Sequence, residues 1–150
     1  MNQADSKFLV FKVGDELFAS PLLSIREVLE YQNPKPMPNM VPHFSGVINV
    51  RGAIVGVVDL RTKFLVNSTP GAKNPLLLCD TPRGTIATIV DSVEKVQEIL
   101  DADIETNPPI QVKVDVTYLK GVARVANQLI TIVDIHELLN DEEYAKVSGV

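Results

Sequence analysis

Two histidines, one cysteine and a recurring aspartate are the residues of this chain that could do chemistry. Catalysis requires a nucleophile beside a base, or a metal held by several ligands. His43 follows Pro42 and His136 follows the Asp134-Ile135 pair, so each reads as a surface residue in a loop or a first helical turn. Cys79 ends the apolar run Leu76–Cys79 and reads as a small core residue. A reactive thiolate would want positive charge beside it, and Arg83 is the basic residue close by. Asp59 and Asp134 each precede a short helical pattern, Leu60–Phe64 and Ile135–Leu139. There a carboxylate accepts from free backbone N–H groups, so these read as helix caps rather than an acid–base pair. Arg51-Gly52 and Arg83-Gly84 are isolated turns, not a phosphate-cradling loop. The expectation is no catalytic residue, no metal and no cofactor.

The elements around these residues are short and rich in Val, Ile and Leu. Phe8–Val13 stops at Gly14-Asp15 and resumes at Leu17–Ala19. Val47–Val50 stops at Arg51-Gly52 before Ala53–Val58. Leu76–Cys79 and Thr85–Val90 flank Thr81–Gly84, and Tyr118–Val125 and Leu129–Val133 flank Ala126–Gln128. Each reads as a β-hairpin, and strands at this spacing predict small barrels or a sandwich. Asn33–Pro38 and Asn107–Pro109 are proline-rich connectors, since proline removes ladder donors. Asn67–Asn74 is polar and turn-rich and marks the expected subdomain boundary; Asp141–Lys146 is one more short helical pattern.

The chain repeats itself. Gly46-Val47 through Asp59-Leu60 matches Gly121-Val122 through Asp134-Ile135 at an offset of 75. Ala19-Ser20 through Val28 matches Ala87-Thr88 through Val96 at an offset of 68. Two matches in the same order point to duplication of a ~70-residue β unit, too small to bury an ample core alone. Two such units would share an apolar seam with a groove at its rim.

Composition narrows the partners. The 150 residues carry 14 Lys+Arg against 19 Asp+Glu, a net charge of −5, which argues against a nucleic-acid surface. Only 5% of residues are aromatic and Trp is absent, so the core is aliphatic and base-stacking platforms are scarce. One Cys excludes an internal disulfide. The longest apolar runs, such as Ala53–Val58, fall far short of the ~18 residues of a spanning helix. The N-terminal MNQADSKF lacks a charged start followed by an apolar run, so no signal peptide is expected. A cytoplasmic protein without membrane insertion is the expectation. What remains for function is a binding surface, and Ile25–Glu30 mixes apolar and charged residues outside any clean core pattern.

The segment Phe44-Ser45-Gly46-Val47-Ile48-Asn49-Val50-Arg51-Gly52-Ala53-Ile54-Val55-Gly56-Val57-Val58-Asp59-Leu60-Arg61 resembles the CheW family, the coupling proteins of bacterial chemotaxis. The family pattern is G-V-x-N-L-R-G-x-I-V-P-V-x-D-L-R. The resemblance extends to Phe8–Phe11, Ile25–Val28, Ile89–Val96, Tyr118–Val122 and Ile132–Leu139, nearly the whole chain. Val50 stands for the usual Leu and Gly56 for the usual Pro. The resemblance implies an all-β fold with short helices: two SH3-like five-stranded barrels packed side by side in one CheW-like domain. The barrels would cover roughly 1–70 and 71–150, with an exchange of terminal segments between them left open. It implies a non-catalytic adaptor, monomeric when isolated, that ties the regulatory domain of the histidine kinase CheA to the cytoplasmic tip of methyl-accepting chemoreceptors. Carried over residue by residue, kinase contact falls on Ile25, Val28, Gly46 and Gly52. Receptor contact falls on Leu22, Glu27, Arg51, Val93 and Val96, in a groove between barrels. Gly46→Asp is expected to weaken kinase binding with the fold intact, unless Gly46 is a structural glycine at positive φ. Arg51 and Glu27 are expected to form an ion pair at the groove mouth. The competing reading is a double-barrel fragment of a larger signalling protein, a kinase regulatory domain or a coupling protein fused to a receiver. The start of the chain close before its first strand and its short tail favour the free-standing adaptor.

Overall fold

A computed structural model describes residues 6–38, 43–63, 74–106 and 118–139. The expected boundary at 67–73, the connector 107–109 and the helical pattern 141–146 lie outside the described residues. Among the described residues, eleven strands form two sheets. In chain order they are β1 (Lys7–Val13), β2 (Glu16–Pro21), β3 (Ile25–Leu29), β4 (Phe44–Val50), β5 (Ala53–Asp59), β6 (Leu76–Thr81), β7 (Gly84–Ile89), β8 (Ser92–Glu98), β9 (Ile104–Glu105), β10 (Leu119–Val125) and β11 (Gln128–Val133). A single helical turn, α1 (Leu60–Lys63), follows β5.

One sheet runs β8-β1-β2-β11-β10-β9 and the other β3-β6-β7-β5-β4. These orders are the same pattern twice. The hairpins β1–β2 and β6–β7 correspond, as do the parallel pairs β2–β11 and β7–β5. The all-β fold in two packed units is thus as expected. The count differs slightly, because the two-residue β9 makes one sheet six-stranded. Its counterpart in the other sheet is the proline-rich connector, whose Lys35 exchanges backbone hydrogen bonds of 2.8 and 2.9 Å with Val47.

The division at about residue 70 does not separate the sheets. β6 and β7 lie beyond it and pair with β3 and β5, while β1 and β2 lie before it and pair with β8 and β11. Each duplicated unit lends its first hairpin to the sheet completed by the other. A polar, turn-rich stretch marks where two copies of a unit join in the chain. Pairing across a sheet is non-local and leaves no such mark.

The exchange explains the apolar runs. In β1, Leu9, Phe11 and Val13 face the seam between sheets, where they meet Phe44, Val58, Leu77 and Cys79. The alternate residues Phe8 and Val10 face a second core within their own sheet, with Ala123 and Ile130. Strands buried on both faces read as continuous hydrophobic runs, not as alternation. Phe11 and Phe18 stack in the seam with ring centroids 6.1 Å apart.

The turns follow local rules. Arg51-Gly52 and Ala126-Asn127 are two-residue loops with positive φ throughout (48° and 90°, 50° and 65°), the twist that matches a right-handed hairpin. Asp59 accepts from the Arg61 backbone N–H and Asp134 from that of His136, each at 2.9 Å. Both aspartates therefore cap, as expected, although the second turn is a 3-10 turn, Ile135–Glu137. Arg61 also closes a bidentate pair on Asp59.

Cys79 is fully buried in the seam, and desolvation pushes its thiol up to about 12. Only the thiolate alkylates, so iodoacetamide at pH 8 is expected to leave the native protein unmodified. Labelling that sets in only with urea unfolding bears this out; rapid labelling of the native chain contradicts it.

Candidate functional site

The edge strands of the two sheets, β3 and β8, are pseudo-equivalents at the offset of 68. Ile25 pairs with Cys79 and Val93 with Phe11, and both Ile25 and Val93 pack partly buried against the seam core. Three residues further along, Val28 and Val96 are 47% and 53% exposed. Each edge thus turns one apolar residue inward and offers another to solvent. Between the edges lies an open groove of ≈ 820 Å³. One side of its lining is Val28, Leu29, Glu30 and Tyr31; the other includes Asp91, Ser92 and Val93. The structure therefore brings Val28 and Val93 into one groove, and places Val96 on the same strand as Val93 without lining it.

The charged residues of the two edges are inverted. Arg26-Glu27 in β3 occupies the positions of Glu94-Lys95 in β8. Arg26 donates to Asp80 across the β3–β6 pair, and this bond holds the Asp80 carboxyl below its ordinary pKa. Two edges of one shape thus carry opposite charge patterns.

Arg51 and Glu27 form the expected ion pair. Its place differs from the expectation. Arg51 lines a separate recess of ≈ 330 Å³ with Arg26, Ile54, Gly56 and Thr85, not the groove between the edges. Through the ion pair the β4–β5 tip meets β3, the opposite edge strand of its own sheet. Gly52 is exposed at that tip, its backbone N–H donating to Asn49 Oδ1 at 2.9 Å.

Gly46 is not a surface residue. It is buried at a bulge in β4, with φ +134°, and a Cβ there would lie 2.2 Å from the Lys35 carbonyl oxygen. Its repeat partner Gly121 sits at the matching bulge in β10 with φ +153°, where a Cβ would meet Glu105 O at 2.7 Å. Both glycines let an adjoining extended segment close on the bulged strand. The expectation that Gly46→Asp leaves the fold intact is corrected on this ground; the structural alternative holds.

Leu22 lies in the 3-10 turn Leu22–Ser24 and packs partly buried on the seam core. Its neighbour Leu23 is the largely exposed one. Sequence reasoning also missed Ile54 and Leu129, repeat partners exposed at 51% and 48%. Their shared offset of 75 is a signal that could have found them: both copies keep a large apolar residue beside a hairpin tip. Among the described residues, no three His, Cys, Asp or Glu side chains gather as a metal site would, and no helix is long and apolar enough to cross a membrane.

Comparison with known proteins agrees with this geometry. The chain is 29% identical over 145 residues to the chemotaxis protein CheW of Klebsiella aerogenes, covering 96% of this chain and 87% of that one. It is 24% identical over 144 residues to a probable chemotaxis protein CheW of Rhizobium etli, covering 95% and 93%. The crystal structure of the scaffolding protein TtCheW from Thermoanaerobacter tengcongensis superposes with a TM-score of 0.83 at 26% identity, over 93% of this chain and 90% of that one. The model of the CheW-like domain matches residues 7–143, so this chain, with its duplicated and exchanged sheets, belongs to the CheW-like domain family.

Proposed function

We propose that this protein is a non-catalytic coupling scaffold of bacterial chemotaxis, joining the cytoplasmic tip of a chemoreceptor to the regulatory domain of the histidine kinase CheA. The observation that carries the reading is the pair of edge strands: equivalent in shape and apolar positions, inverted in charge, and flanking one groove. A duplicated surface divided in this way suits two different partners. The relatives' names, chemotaxis protein and scaffolding protein, support the same reading.

On this reading the kinase lies against the β3 side of its sheet, where Ile25, Val28 and the Gly52 tip are found. Gly46 serves that face by shaping β4 rather than by touching the partner. The receptor's helical hairpin lies along the groove and reaches Val93 and Val96, and its contact extends beyond the groove to Leu22 and to the Glu27–Arg51 pair beside the separate recess. An apolar groove suits helix-in-groove recognition. The protein works in the cytoplasm, monomeric when isolated and assembled with its partners when it couples them. A pull-down from a bacterial lysate tests the class: kinase and receptor should co-purify, and recovery of neither would overturn the reading.

Arg51 separates contact from stability. An exposed ion pair contributes only about 0–1 kcal/mol to folding. Arg51→Ala is therefore expected to leave the melting temperature nearly unchanged while weakening receptor coupling. Arg51→Lys should rescue only partly, because the charge is kept and the planar fork is lost. A large fall in melting temperature for Arg51→Ala, measured by circular dichroism, would make the pair structural instead.

A further inference from the structure

We infer that the groove between β3 and β8 selects a helix carrying a Lys or Arg beside its apolar stripe, and that Glu30 is the residue that reads this charge. The inference rests on the reading that a receptor helix lies in the groove, and it adds which chemistry that helix must have.

A groove of ≈ 820 Å³ holds several side chains from one face of a helix rather than a whole helix. Its apolar lining, Val28, Leu29 and Val93, suits the stripe. Among the described residues its charged lining is acidic, Glu30 and Asp91, without a Lys or Arg.

The two acids are not equivalent. The Asp91 carboxylate already accepts from the Gly14 backbone N–H and from Asn74 Nδ2, and Arg61 lies close enough to feel its charge. Glu30 is exposed just after β3 and makes no ion pair among the described residues. An incoming cation therefore meets an uncommitted carboxylate at Glu30 and a committed one at Asp91. Tyr31, half-buried beside Glu30 with its hydroxyl bonded to Asn33 Oδ1 at 3.2 Å, adds an aromatic ring that favours a cation over an anion. An anionic side chain at the same place would face two carboxylates, and the hydroxyl donors among the described lining residues, Tyr31 and Ser92, already donate to Asn33 and Glu94. The net charge of −5 acts in the same direction at longer range.

The test uses two synthetic helical peptides with one Leu/Val stripe, differing only by Lys or Glu beside it, with fluorescence anisotropy as the readout. At low salt the wild-type protein should bind the Lys peptide roughly fivefold more tightly, and the preference should shrink in ~0.5 M NaCl. Glu30→Gln should remove most of the preference, Glu30→Lys should invert it, and the uncharged Val28→Asn should weaken both peptides alike. Equal binding of the two peptides by wild type, or a preference as large in Glu30→Gln as in wild type, overturns the inference. So does binding of neither peptide. If that result comes with receptor co-sedimentation intact, the inference alone falls; if co-sedimentation is lost too, the reading of the groove falls with it.

Discussion

Gly46→Ala should destabilise the protein by about 3 kcal/mol or more, a large share of the ~5–15 kcal/mol that holds a typical domain. Two costs add. An L-residue forced to φ +134° carries backbone strain of roughly 1–3 kcal/mol. A methyl group 2.2 Å from Lys35 O must also push away a backbone segment, and overpacking of this kind costs about 1–3 kcal/mol. The segment cannot yield cheaply, because Lys35 is held to Val47 by two backbone hydrogen bonds. The other glycines set a scale. Gly121→Ala should cost less, since its nearest contacts are 2.7 Å away and one is the Ile104 side chain. Gly52→Ala meets nothing within 4 Å and should cost only the strain of its φ of +90°, about 1–2 kcal/mol. Urea denaturation should therefore rank the variants Gly46, Gly121, Gly52 in falling order of loss. A Gly46→Ala protein as stable as wild type would show that the Lys35 segment is not pinned to β4.

Val96→Asp should leave the melting temperature within a degree or two of wild type and weaken receptor binding about thirtyfold. The side chain is half exposed and outside the cores, so the folded state loses little. In a complex, a buried apolar contact would be replaced by a charge, and truncation at such hot spots costs about 2 kcal/mol or more. Val93→Asp is the contrasting case. Val93 packs against the seam core opposite Phe11, so a carboxylate there should lower stability as well as binding. Melting curves and receptor co-sedimentation, taken on both variants, separate contact from core. Unchanged receptor binding by a folded Val96→Asp protein would remove β8 from the receptor surface.

Much of the fold was legible in the sequence, for identifiable reasons. Turn dipeptides such as Gly14-Asp15 and Arg51-Gly52 announce hairpins because the backbone there leaves the ordinary region, and few residues tolerate that. The offset of 75 that links Gly46 to Gly121 reflects two bulges with the same steric demand, and the offset of 68 reflects two edge strands with the same inward residue. The sheet membership of β1–β2 was not legible. Leu9 and Phe11 look the same whether their hairpin pairs within its own unit or with the other, since both faces are buried either way. The site was partly legible. Glu27 and Arg51 are opposite charges on neighbouring elements, and they pair. Gly46 misled because a glycine required by a neighbour's backbone and one required by a partner's backbone leave the same letter. Ile54 and Leu129 escaped because one exposed aliphatic residue among many buried ones carries no local signal; only the comparison of the two repeats reveals it.

The most direct test of the coupling role is reconstitution. CheA and a vesicle-borne chemoreceptor would be combined with and without this protein, and kinase autophosphorylation measured as receptor ligand is added. The account predicts that ligand controls the kinase only when all three proteins are present. It predicts further that Val96→Asp abolishes this control while CheA binding, measured separately by calorimetry, stays at the wild-type value. Ligand control that is equally strong without this protein, or a kinase that does not bind it at all, would contradict the account.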